Sequence, residues 1–428
     1  MNKNGKVARV LKKSEFLKRT YRAAKIMSGG IKVTNTAIEE IMPLRPRKAE
    51  SQKLRLNLLV PSIKKEHVFG GISTALKFFN NLADELGAER RLLVLDANVS
   101  KKDIENGFSD YVLVPCSQNV CCDKQIVDLK DRKNETFPVT GKDLFIATGW
   151  WTAYTIAPVI KWQAMTYQQK IKNLIYLIQD YEPNFYPWST RYMLAEGTYK
   201  MDIPTTAVFN SSQLRDYFKA NGYVFDKEYC FDPVLNEVLK RYLNTHPAES
   251  VQRKKQILVY GRPSVSRNAF ELLIDALMRW SEEYPEAREW KVYSAGEAFD
   301  NIELKNKVVL EVLGKLSLEQ YAKFMTETYA GISLMVSPHP SYPPLEMSTF
   351  GIKTITNTYA NKDLKSFNES IVSLKYCTPE TIARELQNIC SGFKQCCSYQ
   401  KDTKYFKSHK EFDEILKDIT LSMEGMHK

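Results

Sequence analysis

The feature that most constrains this chain is an alternation that begins near residue 54, in which short β-branched apolar runs are separated by longer stretches of helical period. Strands buried on both faces of a parallel sheet read as near-continuous apolar runs, and the helices joining them carry a 3.6-residue stripe. Six runs come first: Leu54–Val60, Leu92–Leu95, Tyr111–Val114, Leu144–Ala147, Leu174–Ile178 and Thr206–Phe209. Six more follow: Ile257–Tyr260, Lys291–Ser294, Val308–Val312, Ala330–Val336, Lys353–Thr356 and Ile371–Leu374, with helices expected at Ala269–Tyr284 and Ser317–Tyr329. Two such series specify an α/β chain of two doubly wound domains, and 428 residues suffice for both. The break falls at 233–255, where Asp232–Pro233, Pro247 and the run Arg253–Lys254–Lys255 interrupt the apolar pattern. The expected organisation is an arm over 1–50, domains over 51–235 and 250–403, and a helix over 404–428 whose Phe412, Leu416 and Ile419 suit a return to the first domain.

Charge is decided by location. Of the net +11, residues 1–50 hold +9, from 13 Lys and Arg against 4 Glu. The body is nearly neutral, which excludes a nucleic-acid groove running through the fold. Val7, Val10, Leu11, Leu17, Tyr21 and Ala24 gather on one face of a helical wheel. The arm therefore reads as a basic amphipathic helix suited to an anionic membrane surface through residues 1–30, with packing on the protein itself or a basic tail as the alternatives. No apolar stretch reaches the ~18 residues of a membrane span, and no secretory h-region opens the chain. The eight cysteines form no Cys-x-x-Cys pair, so reduced thiols and a cytoplasmic location are expected, peripheral at the inner face of the cell membrane if the arm binds lipid. Glycine fingerprints for dinucleotides, a P-loop, a His-Glu-x-x-His zinc site and a Gly-x-Ser-x-Gly elbow are all absent from the sequence.

Four constellations carry candidate chemistry. Gly70–Gly71 follow the first strand and open a helix from Thr74 to Leu86, where close backbone approach and a helix N-terminus suit a phosphate. Residues 150–192 contain eleven aromatics, about twice what the 11% composition gives. Beside Gln179, Asp180, Glu182 and Asn184, those rings suit a saccharide, or else a packed core around the fifth strand. Arg262 and Arg267 lie on the first strand-to-helix loop of the second domain and could clamp a diphosphate. Ser337–Met347 carries four prolines in seven residues and places Glu346 to accept hydrogen bonds from a ribose diol, or to serve its helix as a dipole partner.

Gly261–Arg262 with Arg267, and Ser337 through Glu346 with Gly351, resemble the donor half of GT-B glycosyltransferases of the retaining family 4 kind. Leu56–Ser73, Trp150–Tyr154 and Ile178–Trp188 resemble more narrowly the WsaF-type bacterial rhamnosyltransferases, and the likeness covers roughly residues 52–400. Two positions depart from the pattern: Pro338 stands where the first Glu of Glu-x7-Glu belongs, and Arg267 stands in place of a Lys.

The resemblance implies a GT-B architecture of two Rossmann-like domains facing across a cleft, and a retaining, metal-independent transfer without cofactor. Its donor would be dTDP-L-rhamnose, and its acceptor a lipid-linked glycan of a surface polysaccharide such as O-antigen, capsule or S-layer glycan. It implies donor binding by Gly70, Gly71, Arg262, Arg267, Lys315, Leu316, Tyr342 and Glu346. Asp180, Arg262 and Arg267 would take part in catalysis, with Trp150, Trp151, Tyr181 and Glu182 against the acceptor. A sugar-nucleotide 2-epimerase shares this architecture but needs no acceptor platform. A non-catalytic glycan-binding protein would keep the aromatics without the cationic clamp.

Overall fold

A computed structural model describes residues 37–65, 70–246, 252–395, 405 and 411–424. The proposed amphipathic helix of the arm lies outside these residues. Residues up to Met42 form a unit of their own, whose described part holds one 3-10 turn, Glu39–Ile41.

The rest of the chain carries two parallel sheets. The first is built from β2 (Arg55–Val60), β3 (Glu89–Val94), β4 (Val112–Val114), β5 (Lys124–Asp128), β7 (Asp143–Ala147), β8 (Leu174–Ile178), β9 (Thr205–Phe209) and β10 (Lys227–Cys230). Its spatial order is β10-β9-β8-β7-β2-β3-β5-β4. A separate parallel pair joins β1 (Pro46–Lys48) to β6 (Phe137–Val139), with Pro46 opposite Phe137. Residues 46–49, assigned by composition to the arm, therefore belong to the first domain: the Tyr167 hydroxyl accepts from the Ala49 N–H and donates to its carbonyl. The second sheet contains β11 (Lys254–Gly261), β12 (Lys291–Gly296), β13 (Ile302–Glu303), β14 (Val309–Gly314), β15 (Thr328–Ile332), β16 (Lys353–Asn357) and β17 (Ile371–Leu374). They lie in the order β13-β14-β12-β11-β15-β16-β17, and only the β13–β14 pair is antiparallel.

The apolar runs form strands because both faces of each sheet are covered. In β2, Leu56, Leu58 and Val60 face one core while Leu59 faces the other, and β8 divides Leu174, Tyr176 and Ile178 from Ile175 and Leu177 in the same way. This is the period-2 alternation of a strand with apolar residues on both sides. The helix Glu411–Glu424 supplies part of the first domain's cover: Phe412, Ile415, Leu416 and Ile419 are buried among Leu56, Phe78 and Phe79. The segment read as the break between domains contains the helix Glu237–Thr245, begun by an Asn236 cap and anchored by Leu239 and Leu243 in the core of the second domain. The run Ala330–Val336 leaves the sheet after Ile332, because the Met335 N–H is taken by Asn357 Oδ1 and the Val336 N–H by the Arg267 carbonyl.

One buried network holds the first sheet laterally. Asp143, fully buried on β7, receives Arg55 Nε at 2.6 Å on Oδ1 and a second Arg55 nitrogen at 2.9 Å on Oδ2, which Arg91 also approaches at 3.5 Å. Asn57 Nδ2 and the Thr140 N–H complete its shell. Burial by itself would raise this carboxyl, and the two guanidiniums more than reverse that, holding it below its ordinary value.

Candidate functional site

Ligands of open α/β sheets bind beyond the carboxyl ends of the strands, and here both sheets turn those ends to a shared region. From the first domain come Gln179 and Asp180 after β8 and Asn210 after β9. From the second come Arg262 after β11 and the 333–341 loop after β15, which runs into the helix Tyr342–Thr349.

Asp180 lies where the two domains meet. Its Oδ1 accepts from the Tyr181 N–H and from the Ser337 hydroxyl, and Arg267 Nε stands 3.5 Å from Oδ2. The carboxyl is 5% exposed, and burial, opposed by Arg267, raises its pKa. The Arg267 guanidinium also lies 4.4 Å over the Phe185 ring. Two amide contacts continue the joint: Asn184 Nδ2 donates to the Tyr359 hydroxyl, and Asn361 Nδ2 to the Gln213 carbonyl. Asp180 is thus a joint between domains rather than a carboxylate open to an acceptor, and Arg267 is turned to that joint instead of forming a matched pair with Arg262.

Arg262 is half-exposed and has no side-chain hydrogen bond or ion pair among the described residues. The glycine before it is fixed by packing: a Cβ on Gly261 would stand 2.1 Å from Ser294 Oγ on the neighbouring strand. Glu346 is half-buried, its side chain makes no hydrogen bond or ion pair among the described residues, and burial pushes its carboxyl up to about 7. Tyr342 stands one helical turn before it on the same face, its phenol raised to about 12 by burial. Lys315 is exposed after β14, and Leu316 packs at the edge of the core that holds Tyr405. At the Gly70–Glu85 helix start, the Gln179 amide packs directly against Gly71, where a Cβ would displace it.

For several of its rings, the aromatic excess at 150–192 follows the second of the two readings, a packed core around the strand Leu174–Ile178. Tyr176 and Tyr181 both stack on Tyr199, with Phe218 and Tyr223 completing the packed group, and the Tyr181 and Tyr223 hydroxyls are 2.8 Å apart. Trp150 is fully buried and its indole donates to the Tyr186 hydroxyl. Trp150 and Tyr181 are therefore core residues, not acceptor walls. Trp151 remains half-exposed, its indole donating to Asp96 Oδ2 at 2.9 Å, and Trp188 stands 95% exposed.

Glu182 is likewise accounted for by structure. Its Oε2 accepts from the Trp150 N–H at 2.6 Å and from the Tyr176 hydroxyl at 3.1 Å, so it caps the helix Trp150–Tyr167 rather than facing a sugar. Burial raises this carboxyl from 4.5 to about 8. A carboxyl raised on folding contributes stability that is complete below its unfolded value and lost as pH rises through its folded value. Glu182→Gln keeps the acceptor and removes the titration. Its melting temperature should gain on wild type steadily from pH 5 to pH 8, as the difference in unfolding free energy grows by up to ~1.4 kcal/mol per pH unit. Parallel melting curves across that range would refute the assignment.

Sequence reasoning passed over His339, in the loop after β15, and Asn210, directly after β9, both buried. The rule that selected Asp180, a polar residue directly following a buried strand, selects Asn210 equally well.

Comparison with known proteins bears on this architecture. Residues 55–212 match the family described as "WsaF, N-terminal domain" and residues 255–387 the one described as "WsaF, C-terminal domain". The chain is 28% identical over 329 residues to the O-antigen biosynthesis protein RfbC of Myxococcus xanthus, covering 76% of this chain and 24% of that protein. It thus spans about a quarter of the curated relative it matches. Among solved structures it is similar to TarM, with a TM-score of 0.53 and 9% identity over 87% of this chain and 96% of that one. Sucrose-phosphate synthase from Thermosynechococcus elongatus gives a TM-score of 0.51 at 12% identity, over 88% of this chain and 98% of that one. The lipopolysaccharide outer core galactosyltransferase WaaB in its apo form gives 0.51 at 12% identity, over 87% of this chain and all of that one. With family matches to both domains spanning more than half of its length, the chain belongs to the WsaF family and has the two-domain GT-B glycosyltransferase fold.

Proposed function

We propose that this chain is a glycosyltransferase of surface-polysaccharide assembly that moves L-rhamnose from dTDP-L-rhamnose to a growing glycan with retention of configuration. One observation carries the reading: Arg262, a cation whose side chain has no partner among the described residues, and Glu346, a carboxylate with none among them, stand at the carboxyl-end face of the same sheet. Arg262 would neutralise the departing diphosphate with its fixed charge, aided by the N-terminus of the Gly70–Glu85 helix. Glu346 would hold the ribose diol, with Tyr342 beside the phosphates and Lys315 and Leu316 at the base. The departing phosphate would take the acceptor proton, so no side chain need act as base, in keeping with the occupied state of Asp180. The first domain, with Trp151 at its rim, would receive the acceptor. The name of the Myxococcus relative favours an O-antigen type of product. We place no metal or cofactor in this scheme.

The test is thermal stabilisation by a panel of dTDP-, UDP- and GDP-sugars. A donor at about a hundred times its Kd adds ~2.7 kcal/mol to the folded state. dTDP-L-rhamnose should raise the melting temperature most, and stabilisation by GDP-sugars alone would overturn the choice of donor.

No helix among the described residues is long and apolar enough to cross a membrane. The +9 charge of residues 1–50 fits an acceptor carried on a lipid at an anionic surface, since each Lys or Arg near such a surface contributes ~1 kcal/mol. Deleting residues 1–30 should reduce sedimentation with anionic vesicles at least tenfold, and undiminished binding would remove the arm from this role.

A further inference from the structure

Two buried polar groups of opposite kind flank Tyr342, one from each domain. His339, in the proline-rich loop after β15, is 3% exposed. Its Nδ1 accepts the Ser341 backbone N–H at 3.0 Å, so the single proton of the neutral ring sits on Nε2. Burial, reinforced by the Lys362 and Arg267 charges, keeps the ring neutral, its pKa down at about 3. The Nε2–H is therefore a fixed donor at any ordinary pH, and it has no partner among the described residues. The His339 and Tyr342 rings lie 5.5 Å apart.

From the first domain, Asn210 is 3% exposed and lies beside the Tyr342 phenol, close enough for its amide to offset part of the rise that burial gives that group's pKa. Its Oδ1 is left without an acceptance among the described residues. One unmet group is a donor and the other an acceptor, and they stand beside one tyrosine from opposite domains, an arrangement that a single bound group able both to accept and to donate would complete.

The chemistry of the missing partner follows from what each group needs. A phosphate oxygen only accepts, and would satisfy His339 while leaving Asn210 unmet. A base carbonyl has the same limitation. An alcohol hydroxyl accepts from Nε2–H and donates to Oδ1 at once. The helix that begins at Tyr342 reaches Glu346 one turn later, roughly 6 Å along its axis, so the pair lies within a nucleotide sugar's length of the proposed ribose contact.

We propose that His339 and Asn210 grip one hydroxyl of the donor hexose between the two domains and so discriminate among donor sugars. This rests on the nucleotide-sugar reading above. A sugar lacking that hydroxyl, or presenting it in the other configuration, leaves both groups unpaired and is rejected.

Calorimetric titration of the full chain with dTDP and with dTDP-L-rhamnose tests the pair. His339→Leu and Asn210→Leu should each raise the Kd for dTDP-L-rhamnose tenfold or more and leave the Kd for dTDP within twofold. The double variant should be no worse than the weaker single, because one hydroxyl serves both. His339→Gln, which returns an amide donor near Nε2, should recover part of the loss. Equal losses for dTDP and dTDP-L-rhamnose, or no loss for either, would overturn the pair while leaving the donor site itself standing. A wild-type chain that binds neither compound would overturn the reading of function and this inference with it.

Discussion

Arg262→Ala should lower kcat/KM for glycosyl transfer by about a hundredfold to a thousandfold, the usual consequence of deleting one group aimed at developing charge. The size of the effect follows from what Arg262 lacks. A surface arginine paired with a carboxylate has its charge cancelled before a ligand arrives, whereas this one has no partner among the described residues and stands at a strand's carboxyl end. The loss should fall mainly on kcat, because the diphosphate carries more negative charge as the glycosidic bond breaks than in the bound donor. Arg262→Lys should recover part of it, since an ammonium keeps the charge and gives up the bidentate fork. Steady-state kinetics with radiolabelled donor would check this, and a kcat/KM within threefold of wild type would remove Arg262 from the chemistry. Arg267→Ala should act differently. That side chain lies on Phe185 and near Asp180, so its loss should loosen the contact between the domains and raise KM for donor and acceptor together.

Asp143→Ala should cost ~3–5 kcal/mol of stability, because removing one partner of a buried ion pair leaves its counter-charge unpaired in a dry site. Here two counter-charges are stranded: Arg55 and Arg91 are each 1% exposed and both point at this carboxylate. Arg91 is already strained electrostatically, its pKa lowered to about 9 by burial and by Arg55. With typical domains stable by ~5–15 kcal/mol, the variant should be largely insoluble or show a greatly reduced urea midpoint. The contrasting ion pair, Lys53–Asp123 at 3.2 Å, has both side chains mostly in solvent, and Asp123→Ala should leave the midpoint unmoved. An Asp143→Ala protein with a wild-type midpoint would show that the network contributes specificity rather than stability. Asp143 sits far from the carboxyl-end face, at the start of β7, so this variant also separates loss of fold from loss of chemistry.

How much of this was legible varies with the kind of residue. The long apolar strands could be read because a strand covered on both sides must be apolar throughout, as β2 and β8 are. The strand Lys124–Asp128 could not, since Lys and Gln at its start and Asp at its end hide a core of two apolar residues. The strand Lys227–Cys230 lies at the sheet's edge, where half of its surface meets solvent and polar residues are tolerated. At the site, strand-end position singled out Asp180, Glu182, Arg262 and Glu346 as polar groups near the cleft, but position along the chain carries no information about partners. Glu182 was spent on a helix N-terminus 32 residues earlier, and Asp180 on a serine 157 residues later.

The order of apolar runs by itself determined that this chain forms two doubly wound parallel sheets, because burial on both faces imposes a composition that local sequence must display. Which polar residues remain free to meet a ligand was decided only by the tertiary structure. Whether a carboxylate, an imidazole or an amide is satisfied depends on groups brought within ~3 Å by folding, and those groups come from distant stretches of the chain. Among the described residues, the Arg262 and Glu346 side chains, His339 Nε2 and Asn210 Oδ1 were left unmatched by that pairing, Trp150, Tyr181, Asp180 and Glu182 were consumed by it, and the difference is one of hydrogen-bond geometry that no spacing in the sequence records.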